Sequence, residues 1–234
     1  MKKLANITLF GLDCVEIDRL IQASEICLKD FEFGKVKFLT SLESKNSHIV
    51  KIDPINYIEA YNDFMIKQMN GYIDTDFALV IQYDGFILNP EAWTDEYLNY
   101  DYIGAPWWNE GKFIVGNGGF SLRSKKLLEI LQNDDSIQRF PDDPEDWFIC
   151  VTKREYLESK GIKFAPVELA KKFSLEANEI YGVEWTNQFG FHGLKWTDIS
   201  NWLKEHPEYK MENPLDSWAL GVKEKFKTSA RLIK

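Results

Sequence analysis

The 234 residues suffice for one full hydrophobic core with at most a small appendage. With 28 Lys and Arg against 37 Asp and Glu the net charge is −9, which argues against a nucleic-acid binder, since a polyanionic backbone needs a basic face. No stretch approaches the roughly 18–20 apolar residues of a membrane span, and Met1–Ile7 carries no long apolar leader segment, so a cytoplasmic protein is expected.

Ile7–Phe10 reads as a first strand closed by Gly11, and Ile17, Leu20, Ile21, Ser24 and Leu28 follow helical spacing. Val36–Leu39 is a second strand ending at Thr40-Ser41, and Ile49–Ile52 a third, stopped by Asp53-Pro54. Tyr57, Ile58, Tyr61, Phe64, Met65 and Met69 mark a second amphipathic helix, and Phe77–Gln82 is an apolar strand suited to the centre of a sheet buried on both faces. Strand-helix alternation of this kind predicts an α/β fold with a mostly parallel central sheet flanked by helices.

After Asp84 the pattern changes. Tyr100–Pro106 and Lys112–Leu122 read as strands separated by Trp107-Trp108 and a glycine turn, and Ser124–Gln132 as a helix. A polar loop over Asn133–Pro144 leads into a helix near Glu145–Ser159, and the chain is loop-rich beyond Lys163, with a terminal helix from about Asp216. One domain is expected, with a nucleotide-binding half over 1–84, an acceptor-facing mixed half over 85–200 and a helical tail over 201–234. Cys14, Cys27 and Cys150 lack metal-ligand spacing and are expected to be reduced thiols. Eight Trp, ten Tyr and sixteen Phe exceed what such a core needs; their flat apolar faces suit sugar recognition as well as packing.

Open parallel sheets bind ligands beyond the carboxyl ends of their strands. Asp84 stands at such an end, in Val80-Ile81-Gln82-Tyr83-Asp84-Gly85, where a carboxylate can hold a divalent ion that bridges phosphate oxygens; an Asp-Gly turn is the plainer reading. In Pro141-Asp142-Asp143-Pro144-Glu145-Asp146-Trp147, Asp143 is an N-cap and Pro144 an N1 residue, and the acidic first turn suits the helix dipole. The same turn projects a carboxylate above the sheet, where transfer to a hydroxyl needs a general base. Val115-Gly116-Asn117-Gly118-Gly119-Phe120-Ser121 allows close backbone approach to a ligand or a bulge. In Phe189-Gly190-Phe191-His192-Gly193 the histidine is a loop residue or a divalent-metal ligand.

In this order the segments Val80–Pro90, Tyr100–Trp107, Val115–Arg123, Glu145–Cys150 and Phe189–Gly193 resemble a family of bacterial and viral glycosyltransferase-like proteins. More distantly they are similar to the Fringe-type β-1,3-glycosyltransferases and the β-1,4-galactosyltransferases. The resemblance spans Ile7 to Gly193 and implies a GT-A-type, Rossmann-like fold. It also implies transfer of a sugar from a nucleotide diphosphate sugar to the hydroxyl of a glycan acceptor, with inversion. By position it implies Asp84 and His192 as ligands of Mn2+ or Mg2+, Asp146 as general base with Glu145 beside it, and Asn117, Gly118 and Gly119 along the donor sugar. Gln82 departs from the pattern, standing where these relatives have the first acid of Asp-x-Asp. The strand ends Phe10, Gly11, Leu12, Thr40 and Ser41 are the expected nucleotide neighbours; Lys67 is a candidate for the diphosphate, a solvated helix lysine being the plainer reading, and Trp107, Trp108 and Trp147 are candidates to flank the sugar, packing being the plainer reading of each.

Two rival readings compete. A nucleotidyltransferase would need a Gly-rich basic loop after the first strand, which Phe10-Gly11-Leu12-Asp13-Cys14 lacks. A non-catalytic carbohydrate- or nucleotide-sugar-binding protein of the same fold is favoured by Gln82 and opposed by Glu145-Asp146 and His192. In the tail, Trp218, Leu220, Val222, Phe226 and Leu232 interleave with Lys223, Lys225, Lys227, Arg231 and Lys234. That mixture suits a helix packed on the domain, or peripheral contact with an anionic membrane carrying a lipid-linked acceptor.

Overall fold

In the computed structural model, residues 1–211 and 232–233 are described. Strand β1 (Lys2–Leu12) leads through a four-residue turn into helix α1 (Ile17–Leu28), followed by β2 (Phe31–Thr40), β3 (Ile49–Lys51), α2 (Ile58–Lys67) and β4 (Phe77–Val80). These match the alternating pattern of the first 84 residues, with β1 and β2 longer than their apolar cores. Helix α1 buries Ile17, Leu20, Ala23 and Cys27, one apolar stripe at helical spacing. Its close seat on β1 depends on Gly11, where a Cβ would stand 2.8 Å from the Leu20 methyls.

The later strands return to the same sheet. β5 (Tyr102–Gly104) is followed by a hairpin, β6 (Pro106–Asn109) with β7 (Lys112–Val115), and then by β8 (Ser121–Ser124). The six-stranded order is β3-β2-β1-β4-β8-β5. The first four strands are parallel, and β8 runs antiparallel to both β4 and β5. The fold is thus mixed α/β with a mostly parallel central sheet flanked by helices, and both halves of the chain share that sheet.

Three sequence expectations need correction here. Trp107 and Trp108 lie in β6, not between strands; the β6–β7 turn at Glu110-Gly111 has positive φ at both residues, the mark of a type I′ hairpin. Lys112–Leu122 is not one strand. Asn117 takes a left-handed φ of 52° and its Oδ1 accepts from Phe120 N, so residues 116–120 leave the sheet as a loop. The expected helix over Glu145–Ser159 is split into α4 (Glu145–Trp147), a wide π-type turn over Phe148–Thr152, and α5 (Arg154–Ser159).

Helix α3 (Lys125–Asn133) has Ser124 as its cap, accepting from Leu127 N. Beyond Lys163 the chain is more ordered than its composition suggests. It forms α6 (Val167–Phe173), β9 (Ser174–Glu176), α7 (Asn178–Tyr181), β10 (Gly190–His192) and α8 (Ser200–Glu205), with β9 and β10 a parallel pair. Most of the basic and apolar tail, including the helix expected from Asp216, lies outside the described residues. Among the described residues, no helix is long and apolar enough to cross a membrane. Cys14, Cys27 and Cys150 are buried and free of disulfides.

Candidate active site

Beyond the carboxyl end of β4 the chain makes a tight turn, with Gln82 N donating to Gly85 O and Gly85 N to Gln82 O. The segment after it pairs with the strand that carries His192: Leu88 N donates to Phe189 O, Phe191 N to Phe86 O, and Gly193 N to Asp84 O at 2.7 Å. Residues more than a hundred positions apart in sequence are thereby brought together. His192 Nε2 lies 3.7 Å from Asp84 Oδ1 and 3.1 Å from Gln82 Oε1. Gly119 closes the group from above, and a Cβ there would stand 2.2 Å from the His192 ring.

The other ring nitrogen is fixed from behind. Glu176 is the register partner of His192 in the β9–β10 pair, and its Oε1 lies 2.9 Å from His192 Nδ1. Burial alone would pull the imidazole down, but the Asp84 carboxylate and the Glu176 hydrogen bond outweigh it and raise the pKa to about 9. Burial pushes the Asp84 carboxyl up, against the pull of His192.

Asp84 Oδ1 is buried with no hydrogen-bond partner. An orphaned carboxylate oxygen beside an imidazole nitrogen and an amide oxygen fits a divalent ion. No group of three or more His, Cys, Asp and Glu suited to a metal occurs among the described residues. The seat therefore offers Asp84, His192 and the neutral Gln82, and leaves the rest of the shell to a ligand and water.

Asp146 lies in the same cleft, of about 570 Å³. Its Oδ2 accepts from Gly118 N and its Oδ1 from Trp147 N, both at 2.8 Å. Burial, with the negative charges of Glu145 and Glu176, raises its pKa to about 7. The helix dipole that suits an acidic first turn is outweighed here by that burial and by the two neighbouring carboxylates. Nor is Asp143 the cap: Pro144 precedes the turn, and the Asp143 carboxylate accepts from the Thr152 hydroxyl. Glu145 faces inward, paired with the guanidinium of Arg123 through both oxygens at 2.9 Å. Gly118 packs against that pair, where a Cβ would stand 2.0 Å from Glu145 Oε1.

Trp107 and Trp147 stack at 6.1 Å with 25° between their planes, and Trp147 and Trp108 are exposed at the cleft mouth. Asn117 lies behind the cleft, its Nδ2 donating to Glu176 Oε1.

The other expected donor contacts do not gather here. Phe10 and Thr40 are wholly buried, because β1 and β2 are inner strands of the sheet, and Gly11 faces α1. Lys67 points away, donating to the carbonyls of Leu131 and Asp134. Leu12 lines a small side hollow that joins the cleft at Tyr61, Gln82 and Tyr83. In that hollow Asp13 pairs with Arg19 at 2.6 Å, and the guanidinium lies 3.8 Å over the Tyr83 ring. Sequence reasoning passed over Asp13, Arg19, Tyr61, Arg123 and Glu176. Only Asp13 carries a local signal, as the turn residue that accepts from Val15 N and Glu16 N ahead of α1.

A family described as "Protein of unknown function (DUF5672)" matches residues 46–192, more than half of the chain, and the chain belongs to that family. No curated protein matches it. Among solved structures it is similar to a glycosyltransferase involved in the glycosylation of the major capsid of PBCV-1, at 15% identity and a TM-score of 0.46, covering 85% of this chain and 98% of that one. It is also similar to galactosyltransferase LgtC in complex with donor and acceptor sugar analogs, at 13% identity and a TM-score of 0.38, covering 79% and 86%. A third similar structure is A197 from STIV, at 14% identity and a TM-score of 0.35, covering 61% and 75%.

Proposed function

We propose that this DUF5672 member is a metal-assisted glycosyltransferase of the GT-A type. It moves a sugar from a nucleotide diphosphate donor to an acceptor hydroxyl, with inversion, in glycan or polysaccharide biosynthesis. One observation carries the reading: Asp84 and His192, 3.7 Å apart, share a cleft with Asp146, a carboxylate of pKa about 7. A general base works best with a pKa near the operating pH.

The charge of the cleft supports the same reading. Among the described residues it is lined by Asp84, Glu145, Asp146 and Glu176 and by no Lys or Arg, and its one cationic group, His192, is already held by Asp84 and Glu176. A diphosphate entering such a cleft needs a cation to offset its charge. A bound divalent ion would supply that charge and stabilise the departing diphosphate.

Asp146 takes the proton of the acceptor hydroxyl as that oxygen bonds to the anomeric carbon. The bond from this carbon to the diphosphate oxygen breaks on the opposite face, and its electron pair leaves with the diphosphate. The Gly118 and Trp147 N–H groups hold Asp146 in place before substrate arrives, so little ordering is left for the reaction itself. Glu145 holds the helix start through Arg123, and the stacked Trp107 and Trp147 offer an apolar face to a sugar ring.

The test is a panel of nucleotide diphosphate sugars with Mn2+ and simple acceptor glycosides, read as nucleoside diphosphate released and as anomeric configuration by NMR. The expected result is release that requires Mn2+ and rises with acceptor, giving an inverted product. Donor binding without release would identify a non-catalytic nucleotide-sugar binder, the outcome that Gln82 favours. A retained configuration would end the role given to Asp146.

A further inference from the structure

We infer that Glu176 is a positioning residue that keeps hydrogen on Nδ1 of His192, and so reserves Nε2 for a divalent ion, which displaces the proton there. The inference rests on the metal-assisted reading above and assigns a role to a residue with no motif of its own.

Three donors converge on this carboxylate, which is 7% exposed. Oε1 accepts from His192 Nδ1 at 2.9 Å and from Asn117 Nδ2 at 2.8 Å, and Oε2 accepts from Trp107 Nε1 at 2.6 Å. The Asn117 amide cannot turn over without losing a bond, because its Oδ1 already accepts from Phe120 N. Its Nδ2 is therefore a donor, and although it lies 2.9 Å from His192 Nδ1, both N–H groups share Glu176 Oε1. With Nδ1 committed to donating, Nε2 is the nitrogen left for Asp84 Oδ1 and Gln82 Oε1.

The backbone fixes the pair as firmly as the side chains do. Glu176 and His192 are register partners at the ends of two parallel strands. Thr197 clamps those ends, its Oγ1 accepting from Ala177 N at 2.9 Å and donating to His192 O at 2.6 Å. A carboxylate behind a ligating histidine orients the ring and raises its basicity. Because the second oxygen holds Trp107, the carboxylate cannot swing away from His192 without releasing an indole of the aromatic wall.

Gln at position 176 cannot replace Glu. An amide offers one acceptor where two opposed donors need one each, so either Trp107 Nε1 or His192 Nδ1 faces an N–H group. Asp keeps the charge but is one methylene too short to reach both donors.

The experiment measures Mn2+ affinity of the full chain by EPR titration of the free-ion signal, for wild type, Glu176→Gln and Glu176→Asp, with thermal melts to certify folding. Both variants should lose on the order of 10- to 100-fold in affinity. Wild-type affinity in Glu176→Asp would show that charge alone matters and would overturn the positioning role, as would wild-type affinity in Glu176→Gln. If Glu176→Gln does not fold, Glu176→Asp decides the question. Failure of the wild type itself to bind Mn2+ would instead remove the metal-assisted reading, and this inference with it.

Discussion

Arg123 and Glu145 meet through both terminal guanidinium nitrogens and both carboxylate oxygens, at 2.9 Å each, with side-chain exposures of 0% and 5%. Of the two adjacent acids in Glu145-Asp146, the first is thus committed to a buried ion pair beneath the helix start, and the second is left for the cleft. The pair separates two roles that sequence alone leaves merged.

The separation predicts that Glu145→Gln is chiefly a folding defect. Removing one partner of a buried pair leaves an uncompensated charge, at a cost of about 3–5 kcal/mol. Denaturant unfolding should show that loss, while turnover per folded molecule stays within about tenfold of wild type. Unchanged stability with turnover lost about 10²-fold or more, as for a missing base, would move the base to Glu145.

The part of the molecule most legible in the sequence is the part governed by local pattern. The apolar run before Gly11, the stripe of α1 and the central strand at Phe77 carry the periodicities that backbone geometry imposes. What was illegible depends on distant partners. The break between β7 and β8 follows from the left-handed backbone of Asn117 and its bonds to Phe120 and Glu176. β9 and β10 are three residues each, too short to show a period, so Glu176 had no visible relation to His192. Thr40 ends β2 and Phe10 lies two residues short of the end of β1, near where nucleotide neighbours are expected, yet both lie inside the sheet layers and wholly buried.

For the metal seat, Mn2+ should raise the melting temperature of the wild type, because a ligand that binds only the native state stabilises it. Asp84→Asn should abolish most of that rise. The apparent Mn2+ affinity should increase with pH up to about 9, since the ion competes with the proton that His192 holds below its raised pKa. A thermal-shift titration at several pH values tests both statements. An equal Mn2+ response in Asp84→Asn would place the ion elsewhere.

Trp147 is 37% exposed and stacks on Trp107, so Trp147→Ala should act on substrate more than on folding. An aromatic face contributes about 0.5–1.5 kcal/mol beyond its buried area, which corresponds to roughly a two- to tenfold rise in acceptor KM with kcat largely kept. Steady-state kinetics with the acceptor varied would show it. A fall in kcat with KM unchanged would mean that the ring supports Asp146 rather than the sugar.

Asp146→Asn should remove transfer, with rate lost by on the order of 10²- to 10⁴-fold, the usual contribution of a positioned base. In the wild type the acid limb of the kcat/KM profile should turn at about pH 7, because Asp146 accepts a proton only when ionised and its pKa stands at about 7. The same shift fixes the sign of a stability effect. The unfolded chain ionises this side chain near pH 4, whereas the folded protein holds the proton until about pH 7. The folded state therefore binds more protons between those values, and this contribution to stability is present below pH 4 and lost as pH rises to 7. Asn carries no charge, so the variant should lack this component of the decline. It forfeits one of the two acceptors now used by Gly118 N and Trp147 N, at a cost of about 1 kcal/mol, so it should be weaker than wild type at low pH and overtake it as pH rises toward 7. Melting curves across that range, beside the pH–rate profile, test both halves. Parallel stability curves for the two proteins, or an acid limb near pH 4, would show that Asp146 is an ordinary ionised carboxylate, and transfer retained in Asp146→Asn would remove it as the base.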